Sequence, residues 1–382
     1  MKIVADKNIP HVTECFSTIG EVEPVPGRQI TPELIKNADV LLVRSVTKVN
    51  EALLSDSKVK FVGTATIGFE HIDTQYLADK NMGFASAPGS NANSVAEYVV
   101  AALLSVAKKH RITLAGKSIG IIGVGNVGSR LEKKLRALQM KPVLNDPPLY
   151  RQTGDKKYRP LGELFDCDFI TLHTPLTFKG IDKTYHLAGE SFFNSLKKEF
   201  GFINTSRGAV ADTTALQQVI DSGKSGPVIL DVWENEPDID VQLLKSVDLA
   251  TPHIAGYSLE GKINGMIMMY RALCKYFLIE PDKQAGDFLP KPDKPEITIA
   301  GDTADEQQTI QKTVEQIYPI SRDDSNTREI ETVPPQQRPE FFDNLRKNYP
   351  VRREFQNTTV KLKNPNNTLA KKLEGIGFRI AE

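Results

Sequence analysis

The side chains with most chemistry to offer are Arg207, Glu236 and His253, each placed just after a short apolar run. A planar guanidinium grips a carboxylate through paired hydrogen bonds and holds it in register. An imidazole titrates near neutrality, so it can take or return the proton of a reacting hydroxyl. A carboxylate beside the ring orients it and stabilises the imidazolium that forms. Together the three can oxidise a 2-hydroxy acid, with Arg207 on the carboxylate, His253 on the hydroxyl proton and Glu236 behind the ring. Singly they say little. A histidine after Thr251-Pro252 is an ordinary turn residue in many folds, and Arg207 can equally cap a helix or pair with an acid. Glu234 stands beside Glu236, and nothing in their charge chooses between them.

Their order along predicted strands changes that. Asn204–Gly208, Leu230–Pro237 and Ala250–Gly256 each begin where a strand is expected to end. Strands are expected at Ser118–Ile122, Pro142–Asn145, Phe169–Leu172, Gly201–Asn204, Val228–Asp231 and Asp248–Ala250, with helices between most of them. That is a doubly wound parallel sheet, in which ligands bind beyond the carboxyl ends of the strands. Gly123-Val124-Gly125-Asn126-Val127-Gly128 identifies that edge, lying between the strand Ser118–Ile122 and a helical stretch. The first glycine allows the tight turn, the second lets backbone approach a pyrophosphate, and the third lets helix pack on strand. The pyrophosphate would meet the free N–H groups of the helix start. Asp146, ending the next apolar run, would accept from a ribose diol and repel a 2′-phosphate, which favours NAD over NADP.

The flanking regions complete the organisation. A chain of 382 residues predicts two to three domains. The first hundred residues alternate strands (Met1–Asp6, Val40–Val43, Phe61–Gly63) with short helices, a second parallel α/β pattern. A long apolar helix spans Asn93–His110, and another, Leu259–Tyr276, returns after the nucleotide domain. The prediction is a discontinuous, flavodoxin-like substrate domain (1–95 and 255–285) with a Rossmann domain (96–254) inserted and the active site in the cleft between them. A Pro-rich linker, Phe288–Pro295, leads to a small α+β domain (286–382) without a catalytic cluster, read as a dimerisation module.

Composition excludes several classes. Formal net charge is zero and no dense Lys/Arg block appears, so nucleic acid is not an expected partner. Cys15, Cys167 and Cys274 are far apart, which argues against disulfides or a zinc site and fits a reducing cytoplasm. Tyr98–Ala107 is too short to cross a bilayer, and the N-terminus does not read as a signal peptide.

These stretches resemble the D-isomer-specific 2-hydroxy acid dehydrogenase family over residues 1 to about 280. The resemblance is carried by Val43-Arg44-Ser45 with Thr47, Thr64–Gly68 with His71-Ile72-Asp73, the glycine motif, Leu172–Thr177, Asn204–Gly208, Asp231 with Glu236-Pro237, and Thr251-Pro252-His253. It implies Arg207, Glu236 and His253 as the catalytic set. It also implies NAD contacts from the glycine motif (Gly123, Gly125, Asn126, Val127, Gly128), Asp146, Thr174, Thr205, Ser206, Asp231 and Gly256, and no metal. Ala65-Thr66-Ile67-Gly68, a tyrosine just past His253 and the C-terminal Tyr349–Phe355 run resemble one branch of the family. That branch implies a homodimer acting on a small phosphorylated 2-hydroxy acid, touched by Ser45, Thr66 and Tyr257. Its phosphate needs a cation: Arg44 is the first candidate, and Arg352 or Arg353 reaching from a partner subunit is the second. A dehydrogenase for D-3-phosphoglycerate or another D-2-hydroxy acid remains an alternative, as does an NAD-sensing, corepressor-like binding protein.

Overall fold

Strand pairing is parallel throughout the described residues, 1–381 of this computed structural model. Parallel neighbours need long crossovers, and helices supply most of them. The chain forms two compact units, Met1–Asn91 with Ser258–Lys291, and Ala92–Tyr257 with the chain from Pro292 on.

The first unit holds β1 (Lys2–Asp6), β2 (Glu21–Val25), β3 (Val40–Val43), β4 (Phe61–Thr64) and β5 (Gly83–Ala85) in the order β2-β1-β3-β4-β5. This is the flavodoxin-like order. β3 and β4 are buried along their whole length, which is why both read as unbroken apolar runs. β2 and β5 are edge strands that the sequence hid. One carries Pro24 and two glutamates; the other is three residues long. The helix Leu259–Tyr276 lays Met266, Met269, Tyr270 and Leu273 against Ile3, Phe16 and Phe61.

In the second unit the helix Ala92–His110 is buried on nearly all sides. Its main sheet contains β6 (Ser118–Ile122), β7 (Lys141–Asn145), β8 (Phe169–Leu172), β9 (Phe200–Asn204), β10 (Ser225–Leu230) and β11 (Leu249–Ala250), ordered β11-β10-β9-β8-β6-β7. A parallel bridge from Leu144 to Tyr158 adds a rudimentary neighbour to β7. The order reverses between β6 and β8, so the ligand crevice of a doubly wound sheet lies beyond their carboxyl ends.

The chain from Pro292 adds β12 (Glu296–Ile299), β13 (Thr359–Leu362) and β14 (Arg379–Ile380), ordered β12-β13-β14. Its helices share a core with the long helix, since Ile310, Val314, Phe355, Leu369 and Leu373 cluster with Tyr98, Val99, Leu131 and Leu135. Buried polar contacts tie the same surfaces. Lys134 Nζ donates to Ile376 O at 2.7 Å and pairs with Glu97 at 3.6 Å, while Ser94 Oγ donates to Glu354 at 2.7 Å. Among the described residues, no helix is long and apolar enough to cross a membrane.

Candidate active site

The glycine turn follows β6 directly. Gly123 sits at φ +89°, where a side chain is strained, and a Cβ there would stand 2.6 Å from His173 O. A Cβ on Gly128 would come within 2.2 Å of Gly123 O, so the third glycine lets the helix Asn126–Ala137 close on the turn. At Gly125 a Cβ would meet nothing within 4 Å. The second glycine therefore faces open space at a helix start with no side-chain cap, which leaves N–H groups for a phosphate. Asn126 is exposed and Val127 half-buried at the same start. Thr174 Oγ1, beside Gly123, is buried without a hydrogen-bond partner. An open cradle and an orphaned hydroxyl fit a dinucleotide.

Asp146 does local work. It caps the helix Pro147–Thr153, with Oδ1 accepting from Leu149 N at 3.0 Å, and its Oδ2 accepts from Val124 N at 2.8 Å, inside the glycine turn. Each oxygen keeps a lone pair for a diol. His173 bridges Thr171 Oγ1 (2.9 Å) and Thr205 Oγ1 (3.2 Å), and burial pushes it down to about 3, so it is neutral.

The Arg207 turn is shaped by Asn204, the last residue of β9. Asn204 Oδ1 accepts from Ser206 N (3.1 Å) and Ser206 Oγ (2.9 Å), and its Nδ2 donates to Arg207 O (3.0 Å). Arg207 Nη1 donates to Ser206 O at 2.8 Å. At Gly208 a Cβ would lie 2.0 Å from the Trp233 carbonyl, so this turn presses on the one carrying Glu236.

Asp231, after β10, holds the third loop. Its Oδ1 accepts from Ile254 N and Thr251 Oγ1, both at 2.7 Å, and Oδ2 from Ala255 N at 3.0 Å. Because Thr251 gives its proton to Asp231, it accepts from the Tyr98 phenol, 2.6 Å away, which burial holds well above its ordinary value. Burial also pushes the Asp231 carboxyl up, with His253 and the bonds from Thr251, Ala255 and Ile254 opposing. Against this frame His253 takes φ +59°, rare for a residue with a side chain, and donates its N–H to Asp231 O at 2.6 Å.

His253 Nδ1 then lies 2.7 Å from Glu236 Oε2, and Glu236 Oε1 accepts from Trp233 N at 2.7 Å. Burial would raise the Glu236 carboxyl. The charge and hydrogen bond of His253, the Trp233 N–H and Arg346 outweigh it and hold the group below the usual carboxylate range. An ionised carboxylate only accepts, so Nδ1 carries the proton of this bond and Nε2 is the nitrogen left to exchange one with a substrate. Glu234 turns elsewhere, to His186 Nε2 at 2.7 Å and Thr213 N at 3.2 Å. The pair that charge could not separate is separated by the fold.

Of the remaining predicted residues, Gly256 and Tyr257 follow in the same loop, with Tyr257 N donating to Ile254 O at 2.8 Å. Arg44, Ser45 and Thr66 belong to the other unit, after the neighbouring strands β3 and β4. Arg44 and Ser45 lie in a turn closed by Thr47 N→Arg44 O at 3.2 Å, and Thr66 Oγ1 donates to Gly68 O at 2.7 Å. Arg352 does not reach out to a partner. It is buried at 7% exposure, with Nη2 donating to Ala255 O (2.5 Å) and Ser94 O (3.2 Å) and its guanidinium 4.5 Å over Tyr318. Sequence reasoning missed the roles of Asn204, Tyr98 and Arg346. An Asn two residues before a turn serine is a signal for the first. For Arg346, on a late helix without a motif, there is none. Among the described residues, no cluster of potential metal ligands occurs.

Residues 91–255 match the family described as D-isomer specific 2-hydroxyacid dehydrogenase, NAD binding domain, and residues 288–377 match a domain of unknown function. An erythronate-4-phosphate dehydrogenase of Marinobacter nauticus is 44% identical, covering 100% of both chains. One of Proteus mirabilis is 43% identical over 99% of each. Among solved structures, an NAD-bound 3-phosphoglycerate dehydrogenase from Entamoeba histolytica matches with TM-score 0.61 and 26% identity, over 73% of this chain and 95% of its own. A D-lactate dehydrogenase from Aquifex aeolicus shares the fold at TM-score 0.58 and 24% identity, covering 73% of this chain and 95% of its own.

Proposed function

This chain belongs to the D-isomer specific 2-hydroxyacid dehydrogenase family, and from that premise we propose that it oxidises 4-phospho-D-erythronate to 2-oxo-3-hydroxy-4-phosphobutanoate. The chemistry rests on one observation, the His253–Glu236 pair at 2.7 Å on the sheet edge that bears the glycine turn. The choice of substrate rests on the full-length relatives at 43–44% identity, and with it we assign the reaction to pyridoxal 5′-phosphate synthesis.

Arg207 holds the substrate carboxylate. His253 Nε2 accepts the C2 hydroxyl proton as the C2–O bond becomes a carbonyl, and Glu236 stabilises the imidazolium. NAD, held by Gly123, Gly125, Asn126, Val127, Gly128, Asp146, Thr174, Thr205, Ser206, Asp231 and Gly256, supplies the hydride acceptor. Ser45, Thr66 and Tyr257 contact the substrate, and Arg44 its phosphate. In reduction His253 is the acid. Residues 1–95 with 255–285 serve as the substrate-binding domain, 96–254 as the NAD domain and 286–382 in a homodimer, in the cytoplasm.

The test is NADH fluorescence with 4-phospho-D-erythronate, D-3-phosphoglycerate and D-lactate, repeated with 2-oxo acids supplied as acceptors. Highest kcat/KM with 4-phospho-D-erythronate is expected. Preference for 3-phosphoglycerate would overturn the substrate. Tight NAD binding without turnover of any acid would point to an NAD-sensing protein instead.

A further inference from the structure

Arg346 lies on the helix Arg338–Lys347, within the stretch whose family model is described as a domain of unknown function. Its guanidinium carbon stands 6.0 Å from the centre of the Tyr257 ring, in the loop that carries His253. Tyr349 packs edge-on against that ring, centroids 5.9 Å apart at 80°, and so fixes the face that Arg346 meets. The nearby Asp343 carboxylate is 3.7 Å from Nη1, too far for a hydrogen bond. Arg346 Nε is buried and has no hydrogen-bond partner. A buried charged N–H without an acceptor is costly and asks for a partner from outside the chain. The side chain is still 24% exposed, on atoms other than the sealed Nε, so an anion can approach the side chain there. Burial disfavours the cation, but the Tyr257 hydroxyl, which also hydrogen-bonds the guanidinium, outweighs it together with Glu236 and Asp343 and keeps the group charged.

We propose that Arg346, beside Tyr257, forms an anion subsite that receives the terminal phosphate of the substrate. Arg207 then takes the carboxylate at one end of the four-carbon acid and Arg346 the phosphate at the other, leaving C2 to His253. A guanidinium suits a phosphate because its fork matches two phosphate oxygens. A dianion accommodates a second cation, so Arg44 and Arg346 are not exclusive. The site also gives the C-terminal segment a part in recognising substrate. This inference rests on the reading of function above.

The experiment compares wild type, Arg346→Gln and Arg346→Lys with 4-phospho-D-erythronate and D-erythronate, alongside calorimetric binding of inorganic phosphate to the NAD-loaded protein. Losing one charge-assisted contact should raise KM for the phosphorylated acid roughly 10- to 100-fold. kcat/KM for D-erythronate should fall at least about tenfold less than for the phosphorylated acid, because there only the influence of Arg346 on Glu236 is lost; phosphate binding should weaken in parallel, and lysine should restore part of the loss. Equal losses on both acids would make Arg346 a support for Glu236 and overturn the subsite, as would unchanged KM and phosphate affinity. If wild type turns over D-3-phosphoglycerate instead, the functional reading fails, and the same comparison against D-glycerate decides the subsite. If no acid is turned over, phosphate binding decides alone: an Arg346-dependent site supports the subsite, and its absence overturns it.

Discussion

Glu236 spends one oxygen on His253 and the other on the Trp233 N–H, so its charge serves the ring without being free to rotate. Glu236→Gln should lower kcat by roughly 10²- to 10³-fold, within the range of acid–base contributions. It should also move the acid limb of the pH–rate profile to lower pH, because the imidazolium loses its counter-ion. An unmoved profile would detach Glu236 from the dyad. Glu234→Gln is the matched control: its partners are His186 and Thr213, so kcat should change less than about threefold. In wild type Glu236 is held below the ordinary carboxylate range. Its contribution to stability is present above the ordinary value and is lost only as pH falls through the lower folded one. His253→Ala should abolish turnover while NAD still quenches protein fluorescence with near wild-type affinity.

At the scale of elements, the glycines of one turn have separable duties. Gly125→Ala meets no neighbour, so the protein should fold normally while NAD affinity falls, measured by fluorescence titration. Gly128→Ala drives a Cβ to 2.2 Å from backbone and should cost about 1–3 kcal/mol in denaturant unfolding. A variant of Gly128 as stable as wild type would refute the packing role. Asp231 binds two backbone N–H groups of the His253 loop through different oxygens. Asp231→Asn leaves one acceptor oxygen for both, so one buried N–H goes unpaired, at about 1–3 kcal/mol. Activity should fall with stability, since the strained φ of His253 depends on that frame.

At the scale of the molecule, the C-terminal stretch is built into the nucleotide-binding unit through buried charges. Burial pushes the Glu97 carboxyl up to about 8; Lys134 opposes this and Glu354 adds to it, and the Phe355 N–H bonds to Glu97 at 3.0 Å. A carboxyl raised on folding stabilises the fold fully below its unfolded value near 4.3, and that contribution is lost as pH rises through about 8. The thermal midpoint should therefore decline as pH rises from about 5 to about 8, and Glu97→Gln should flatten the decline. An identical slope in the variant would remove Glu97 as its source.

Periodicity and glycine spacing were enough to read β1, β3, β4 and β6–β11, the glycine turn and the placement of Arg207, Glu236 and His253 beyond strand ends, because each is a local pattern or follows a strand end. The edge strands β2 and β5 were illegible, since short, polar or proline-bearing edges carry no apolar signature. The sequence by itself determined which chemistries were available: a guanidinium, an imidazole and a carboxylate downstream of a dinucleotide turn. Charge did not choose between the two carboxylates; the tertiary structure sets Glu236 against His253 and turns Glu234 to His186. It also showed that Arg352 is spent inside its own chain on Ala255 O, and that Arg346 comes beside Tyr257. The physical reason is that these pairings join residues distant in sequence through backbone turns and helix packing, and neither charge nor spacing along the chain encodes a distance across it.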